Sequence, residues 1–309
     1  MQAEVFTRTE QEFHVVGLRT ATAELALVPE LGGRVVSLRG LRSGREWCWH
    51  RPDARWLWRS EPGSDFGASP QAGIDECVPT VAGCGWKGRR VPDHGEVWAQ
   101  SWELEKAELA AGRLTASVTL PTSPFLFRRA ISATPEGFRF DYALTNRGDA
   151  PEEYLWCVHP LFTIEEGDRL ELPPGTRSMR VNGGIGLRPI EHGEEWTLPE
   201  PSPGFRIDRL ETPGMPRGCI KRFVGPLREG VAALANERSG ARLEVRWDVQ
   251  AAPLLGLWLN RGHAGFHHVA LEPTNGAPDS LAQAVNEWRQ FGRLEAGATA
   301  TWWLEWRLS

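Results

Sequence analysis

Proline and glycine interrupt this chain so often that no long helix fits between them: of 309 residues, 33 are glycine and 23 are proline. Proline inside a helix removes a backbone donor and clashes with the preceding turn, and glycine adds conformational entropy that ordering must overcome. Between the interruptions lie short runs in which Val, Leu, Phe and Trp alternate with polar residues: RVVSLR (34–39), RLTASVTL (113–120), FRFDYAL (138–144), RLEVRWDV (242–249) and TATWWLEWRL (299–308). Alternation at period two turns one side of each run toward a core, the signature of half-buried strands. The turn sequences ATPEGF (133–138) and ERSGAR (237–242) join such runs directly and predict antiparallel hairpins. About a dozen runs of this kind span the chain, with one helical stretch, SLAQAVNEW (280–288), for which Asp279 and Ser280 are candidate caps. No strand–helix–strand alternation is present, which disfavours a parallel doubly wound sheet. The expected fold class is all-β: one large antiparallel β-sandwich with few short helices. No linker, charge block or repeat divides it, so 1–309 reads as one domain, with the Gly/Pro-dense 173–218 as long loops inside it.

A formal net charge of -5 leaves no basic footprint for nucleic acid or an anionic membrane, so a small neutral or cationic ligand is expected instead. The five cysteines, Cys48, Cys77, Cys84, Cys157 and Cys219, form no C-x-x-C pair, and their odd count predicts reduced thiols in a cytoplasmic protein. The N-terminal MQAEVFTRTEQEFHVV carries charges throughout, and no later run approaches the roughly 18 apolar residues of a membrane span. Neither secretion nor membrane insertion is expected.

Three groups stand where packing alone does not ask for them. His94 lies in VPDHGEVW (91–98), in a tight turn before a run at 96–104 that reads as a strand. His159 closes the apolar YLWCVHP, where Pro160 cannot donate to a ladder. Glu272 follows HVAL and precedes Pro273, at the end of a strand otherwise destined for the interior. A carboxylate there must be paired or functional. Each has a plain alternative: a surface turn histidine, a satisfied core histidine, a structural ion pair with an arginine. Together they offer general acid–base chemistry without metal, nucleophile or cofactor. No G-x-S-x-G or G-x-x-x-x-G-K-[ST] occurs, and Asn182-Gly-Gly-Ile-Gly186 lacks the strand and helix that flank a phosphate-binding loop. His263, His267 and His268 do not share a helical face, so a metal site is disfavoured; on a strand, His268 and Ala270 share a face with Glu272. Most of the 15 tryptophans must be packing residues, and Trp258, in LLGLWLN, is the one expected near a site.

The segments Gly32-Gly33-Arg34-Val35-Val36-Ser37-Leu38, Gly73-Ile74-Asp75-Glu76-Cys77-Val78-Pro79, His94-Gly95, His159-Pro160 and Glu272-Pro273 follow one another in an order that resembles the aldose 1-epimerase (galactose mutarotase-like) superfamily. The resemblance covers most of the chain and rests on the order of short motifs. It implies a β-supersandwich with the site on the concave face of the larger sheet. It also implies an isomerase in which Glu272 removes the anomeric hydroxyl proton, His159 protonates the ring oxygen and His94 assists at the same end of the sugar, with no cofactor. A carboxylate beside an imidazolium suits that proton shuttle.

Departures from the family pattern bear on the substrate. Arginines that members acting on phosphorylated hexoses carry before the Gly-rich region and after the HG turn are absent here, where the chain reads Ser69-Pro70-Gln71-Ala72-Gly73 and His94-Gly95-Glu96-Val97-Trp98, so an unphosphorylated aldose is expected. Arg89 and Arg90 are candidates for one polar contact, Asp75 and Glu76 for hydroxyl contacts or a turn cap. Asp208 and Lys221 are the nearest candidates for the family's hydroxyl-gripping aspartate. The expected partner is a monosaccharide bound by a monomer or a homodimer. Two other functions compete: a non-catalytic carbohydrate-binding protein on the same fold, and a lyase or glycosidase. A glycosidase calls for two carboxylates flanking the bond, and only Glu272 is a clear one.

Overall fold

The alternating runs pair into two antiparallel sheets in the computed structural model, which describes residues 3–186, 190–200, 206–210 and 217–309. Among the described residues the larger sheet has 12 strands. Its path runs from Glu4–Glu10, Phe13–Arg19, Ala23–Val28 and Arg34–Gly40 through Ile74–Cys77 and Cys157–Pro160. It continues through His267–Thr274, Leu254–Arg261 and Gly218–Val224 to Ser178–Ile185 and Glu195–Thr197. The second sheet has 8 strands, ordered Asp168–Glu171, Val231–Asn236, Arg242–Trp247, Thr299–Leu308, Gly137–Asn146, Phe125–Ala133, Leu114–Thr119 and Glu103–Leu104. The all-β sandwich expected from the alternation is the observed fold, and both turn sequences close hairpins, Phe125–Ala133 with Gly137–Asn146 and Val231–Asn236 with Arg242–Trp247. No helix of the described residues is long and apolar enough to cross a membrane.

Period two decides what each side of the larger sheet carries. On His267–Thr274 and Leu254–Arg261, Val269, Leu271, Leu257 and Leu259 point into the core between the sheets. The residues between them, with the register pairs Asn260 and His268, Trp258 and Ala270, Gly256 and Glu272, point away from it. On Cys157–Pro160 and Ile74–Cys77 the register pairs are Val158 with Glu76 and His159 with Asp75, so Glu76 turns inward and His159 outward. The core carries much of the aromatic content: Trp47, Trp98, Trp102, Trp156, Trp196, Trp247, Trp302 and Trp306 are all buried.

Glu76 is a fully buried carboxylate inside this core, and it is saturated. Arg129 Nη1 lies 3.0 Å from Oε1, which also accepts from Tyr142 Oη at 2.9 Å, and Oε2 accepts from Trp156 Nε1 at 3.0 Å. Tyr142 and Arg129 come from the opposite sheet, so the network pins the two layers together. The expectation that Glu76 reaches substrate hydroxyls is thereby corrected: the strand's alternation points it the wrong way.

Three local expectations are also corrected. The run 96–104 is a strand only at Glu103–Leu104. The Glu96 carboxylate accepts from Thr122 N, Ser123 N and Ser123 Oγ, which holds the preceding backbone in turns. The helix expected over 280–288 is present, as a short α-helical turn, Leu281–Gln283, that widens into a π-helix, Ala284–Trp288, and it is its cap that differs. Ser280 makes no side-chain cap, and Thr80 Oγ1 accepts from Leu281 N at 3.0 Å instead. Part of 173–218 is sheet rather than loop, as Ser178–Ile185 and Glu195–Thr197. The expectation for 187–189, 201–205 and 211–216 lies outside the described residues.

Removing one partner of a buried ion pair leaves a charge without compensation, at about 3–5 kcal/mol. Arg129→Met is expected to lower unfolding stability by about that amount in urea denaturation, and a loss below about 1 kcal/mol excludes a structural role for the network.

Candidate active site

The outward side of the larger sheet becomes a site where loops and sheet residues converge. His94 arrives on a turn with no steric slack. Its own φ is +58°, Gly95 follows at +74°, and a Cβ on Gly95 lies 2.1 Å from the Val78 carbonyl oxygen, so only glycine fits there. His94 N donates to Val81 O at 2.6 Å and Glu96 N to Val78 O at 2.7 Å, which ties the turn to the sheet. Asp93 Oδ2 stands 3.0 Å from His94 Nδ1. Burial alone pushes the Asp93 carboxyl up, but the neighbouring imidazole brings it below its ordinary range. Phe66, from the loop before Ile74–Cys77, stacks on the His94 ring with centroids 3.8 Å apart, and His94 meets His159 edge to face at 4.8 Å.

His159 stands beside Glu272, its Nε2 3.8 Å from Oε1. Glu272 is 0 % exposed and sits within His267–Thr274 rather than at its end. Its Oε2 is in contact with Lys221 Nζ and lies 3.5 Å from Cys157 Sγ. Gly256, its register partner, supplies the room, because a Cβ there meets Glu272 Oε2 at 2.9 Å. Lys221 is held from its other side by Asp279, Nζ to Oδ1 3.2 Å, and Asn182 Nδ2 donates to Asp279 Oδ2 at 3.0 Å. Burial by itself lowers a lysine, yet Asp279 and Glu272 together hold Lys221 above its ordinary range, a permanent ammonium. Burial raises the Glu272 carboxyl, and the Lys221 charge opposes that rise.

The His159 and His268 imidazoles are both held below their ordinary range. Burial first, then the charges of His94, Lys221, His268 and Arg34, hold His159 well below its ordinary value. That shift runs against the imidazolium expected at His159. Burial, with His267 nearby, brings His268 down to about 3. Neither ring nitrogen of His268 has a hydrogen-bond partner among the described residues.

His94, His159 and His268 border a cavity of about 320 Å³ lined by Phe66, Gly67, Gln71, His94, His159, Leu161, Trp258, Asn260, His263, Ala264, Phe266 and His268. Of the residues expected at a site, the structure brings His94, His159 and Trp258 to this cavity and places Glu272 directly behind His159. It does not bring the others. Asp75 is enclosed beside the site and accepts from Arg34 Nε at 2.8 Å, and burial, against the pull of Arg34, raises its carboxyl. Arg89 is bound to Glu152, and Arg90 is exposed on the hairpin of Cys84–Trp86 with Arg89–Val91, away from the cavity walls. The expected contacts from Arg89, Arg90, Asp75 and Glu76 are corrected accordingly. Asp208 pairs with Arg206 away from the site, whereas Lys221 is at its centre.

Phe66, Gln71, Asn260, Phe266 and Asp279 were not expected in the site. Lys221 did carry a usable signal, since a lysine inside the apolar GCIKRFV (218–224) has to be paired. Asp279 reads as a helix cap in sequence, but its carboxylate turns to Lys221.

The sandwich that carries these groups has a recognised fold. Solved structures that share the fold include the following three. One is a galactose mutarotase-like protein from Clostridium acetobutylicum, with a TM-score of 0.72 at 12% identity, covering 100% of this chain and 99% of that one. Another is a galactose mutarotase-like protein from Lactobacillus casei, at 0.68 and 17%, covering 96% and 100%. A third is a galactose mutarotase related enzyme from Lactobacillus acidophilus, at 0.65 and 14%, covering 99% and 97%. No family model and no curated protein sequence matches the chain. At these identities the likeness is one of fold, and the fold is galactose mutarotase-like.

A histidine that is neutral when folded but binds a proton when unfolded destabilises the fold as pH drops below the unfolded value of about 6.5. For His268 the dependence runs from about 6.5 down to about 3, at roughly 1.4 kcal/mol per pH unit. Unfolding free energy is therefore expected to fall between pH 6.5 and 5, and His268→Asn to flatten that slope. An unchanged slope in the variant excludes a buried neutral His268.

Proposed function

We propose that this chain is an isomerase that interconverts the anomers of an unphosphorylated aldose by acid–base ring opening and closure. The observation that carries the reading is the convergence of His94, His159 and Glu272, remote in sequence, at one cavity, with His159 Nε2 3.8 Å from Glu272 Oε1. Ring opening removes a proton from the anomeric hydroxyl and delivers one to the ring oxygen, and two imidazoles on the cavity wall with a carboxylate behind one of them are groups able to accept and donate protons. The cavity volume suits a monosaccharide. Among its described lining residues there is no lysine, arginine or carboxylate, so it offers no fixed counter-charge to a phosphate. Trp258 and Phe266 give it apolar walls for the C–H face of a sugar ring.

The names of proteins that share the fold support the same reaction class. The free cysteines support a cytoplasmic setting. The chain is read as one domain, acting as a monomer or a homodimer.

One observation favours a second reading. Glu272 is wholly enclosed and does not form part of the cavity wall, which favours a carbohydrate-binding protein that does not turn over. Exchange NMR or polarimetry on a panel of neutral aldoses separates the two. The intact protein is expected to accelerate anomer exchange for at least one of them, with His159→Asn lowering the rate by about 100-fold or more. Binding in titration without acceleration of any aldose leaves the binding protein.

A further inference from the structure

Period two lays out the outward residues near the cavity in rows across three neighbouring strands. Cys157 pairs with Thr274, so His159 stands level with Glu272 and its partner Gly256 in one row. Phe162 pairs with Val269 and both belong to the core, so the next outward row is Leu161, Ala270 and Trp258. Thr163, His268 and Asn260 make a third. Two residues of strand separate one row from the next, about 6.5 Å, which is close to the width of a pyranose ring.

The first row carries ionisable groups and the second carries none. Leu161 and Trp258 line the cavity on either side of the buried Ala270, and Phe66 and Phe266 extend the apolar wall. The polar side chains nearby are already engaged or turned away. Gln71 Nε2 donates to Phe66 O at 3.3 Å, Asn260 Oδ1 accepts from His263 N at 3.0 Å, and both ring nitrogens of His268 are enclosed. A hydroxyl pressed against the second row loses water without regaining a partner, whereas a methyl group there buries apolar surface.

We infer that the sugar this site takes is a 6-deoxyhexose, an aldose with a methyl group in place of the hydroxymethyl on C5. This rests on the anomer-exchange reading and deepens it by naming the substrate class. With the anomeric end at His94 and His159, the ring spans the step to the second row. The C5 substituent is the one carbon branch that projects beyond the ring, and as a methyl it meets Leu161 and Trp258. The ring hydroxyls face the mouth of the cavity, where His263 and Ala264 are exposed to solvent. A hexose with its C6 hydroxyl gives up hydration at the second row, and a C6 phosphate brings charge to a wall with no lysine or arginine among its described residues. Ring opening itself does not involve C6, so the methyl decides which aldose is held and leaves the proton transfers as they are.

Titration calorimetry on the intact protein tests this with pairs of sugars that differ only in the C6 hydroxyl: D-fucose with D-galactose, 6-deoxy-D-glucose with D-glucose, L-rhamnose with L-mannose, and L-fucose with L-galactose. In the pair that binds most tightly, the 6-deoxy member is expected to bind at least tenfold more tightly than its partner. A smaller preference, the opposite one, or no binding by any of these sugars overturns the inference. Trp258→Gln places an amide in the second row and is expected to lower that preference at least threefold; a preference unchanged within that margin overturns the assignment of the methyl to this row. Each preference is a ratio read within one protein, so a fraction of unfolded variant does not move it. Exchange NMR on the same sugars separates the inference from the reading beneath it. A 6-deoxy preference in binding with no acceleration of anomer exchange removes the isomerase and leaves the ligand class standing. Acceleration without the preference leaves the isomerase and removes the ligand class.

Discussion

A carboxylate inside a β-sandwich has to be neutralised where it stands, and three of the buried carboxylates of the larger sheet are served from three different reaches. Arg34 serves Asp75 across neighbouring strands, Arg129 serves Glu76 across the gap between the sheets, and Lys221 serves Glu272 across an intervening strand. That last reach works because the intervening strand carries Gly256 where a side chain would press on Glu272. Burying such charges is expensive, and a pair of this kind is weak evidence for stability taken alone. The pairs do fix registers: slipping any of these strands by one residue turns its carboxylate to the opposite face and strands its cation. The geometry of the site thus follows from the same pairing rule that holds the sheets together.

The site that results is nearly free of fixed charge at its walls. The ionised groups lie one layer down, behind imidazoles and aromatic rings, and Phe66, His94 and His159 form a contiguous stack above them. Burial pushes imidazoles toward neutrality, and the Lys221 ammonium beneath pushes His159 the same way. A neutral imidazole beside a buried carboxylate can accept a proton and be stabilised as it does so. Burial and the Lys221 charge both disfavour the imidazolium that motif order implies for His159.

Much of this was legible in the sequence, and the limits have physical causes. Alternation at period two identified the sandwich because each strand has one buried side, and it also placed His268, Ala270 and Glu272 on a common face. His94, His159 and Glu272 stood out because each is polar where its neighbours are apolar or sterically constrained. Asp75 and Glu76 stood out for the same reason, yet adjacency in a strand sends them to opposite faces, so at most one could have met a ligand, and an arginine remote in sequence claims each. Arg89 and Arg90 were close to His94 along the chain but belong to a hairpin that carries them off. Lys221 and Asp279 are 58 positions apart, and nothing local in either segment announces that they meet. Partnerships set by strand order, rather than by strand pattern, are what a single sequence does not display.

The polar atoms that the fold leaves without protein partners give the site its remaining character. Oε1 of Glu272, Nδ1 of His159 and both ring nitrogens of His268 are enclosed and unpaired among the described residues. A buried polar group without a partner costs about 1–3 kcal/mol, so a fold keeps several together only where something else recovers the cost. The core around Glu76 shows that this chain can saturate a buried carboxylate completely when the role is structural. Glu76 has donors on both oxygens, whereas Glu272 has one oxygen held and one left open toward His159. A ligand rich in hydroxyls, each both donor and acceptor, is the chemistry that complements neutral imidazoles whose tautomers are free to match it.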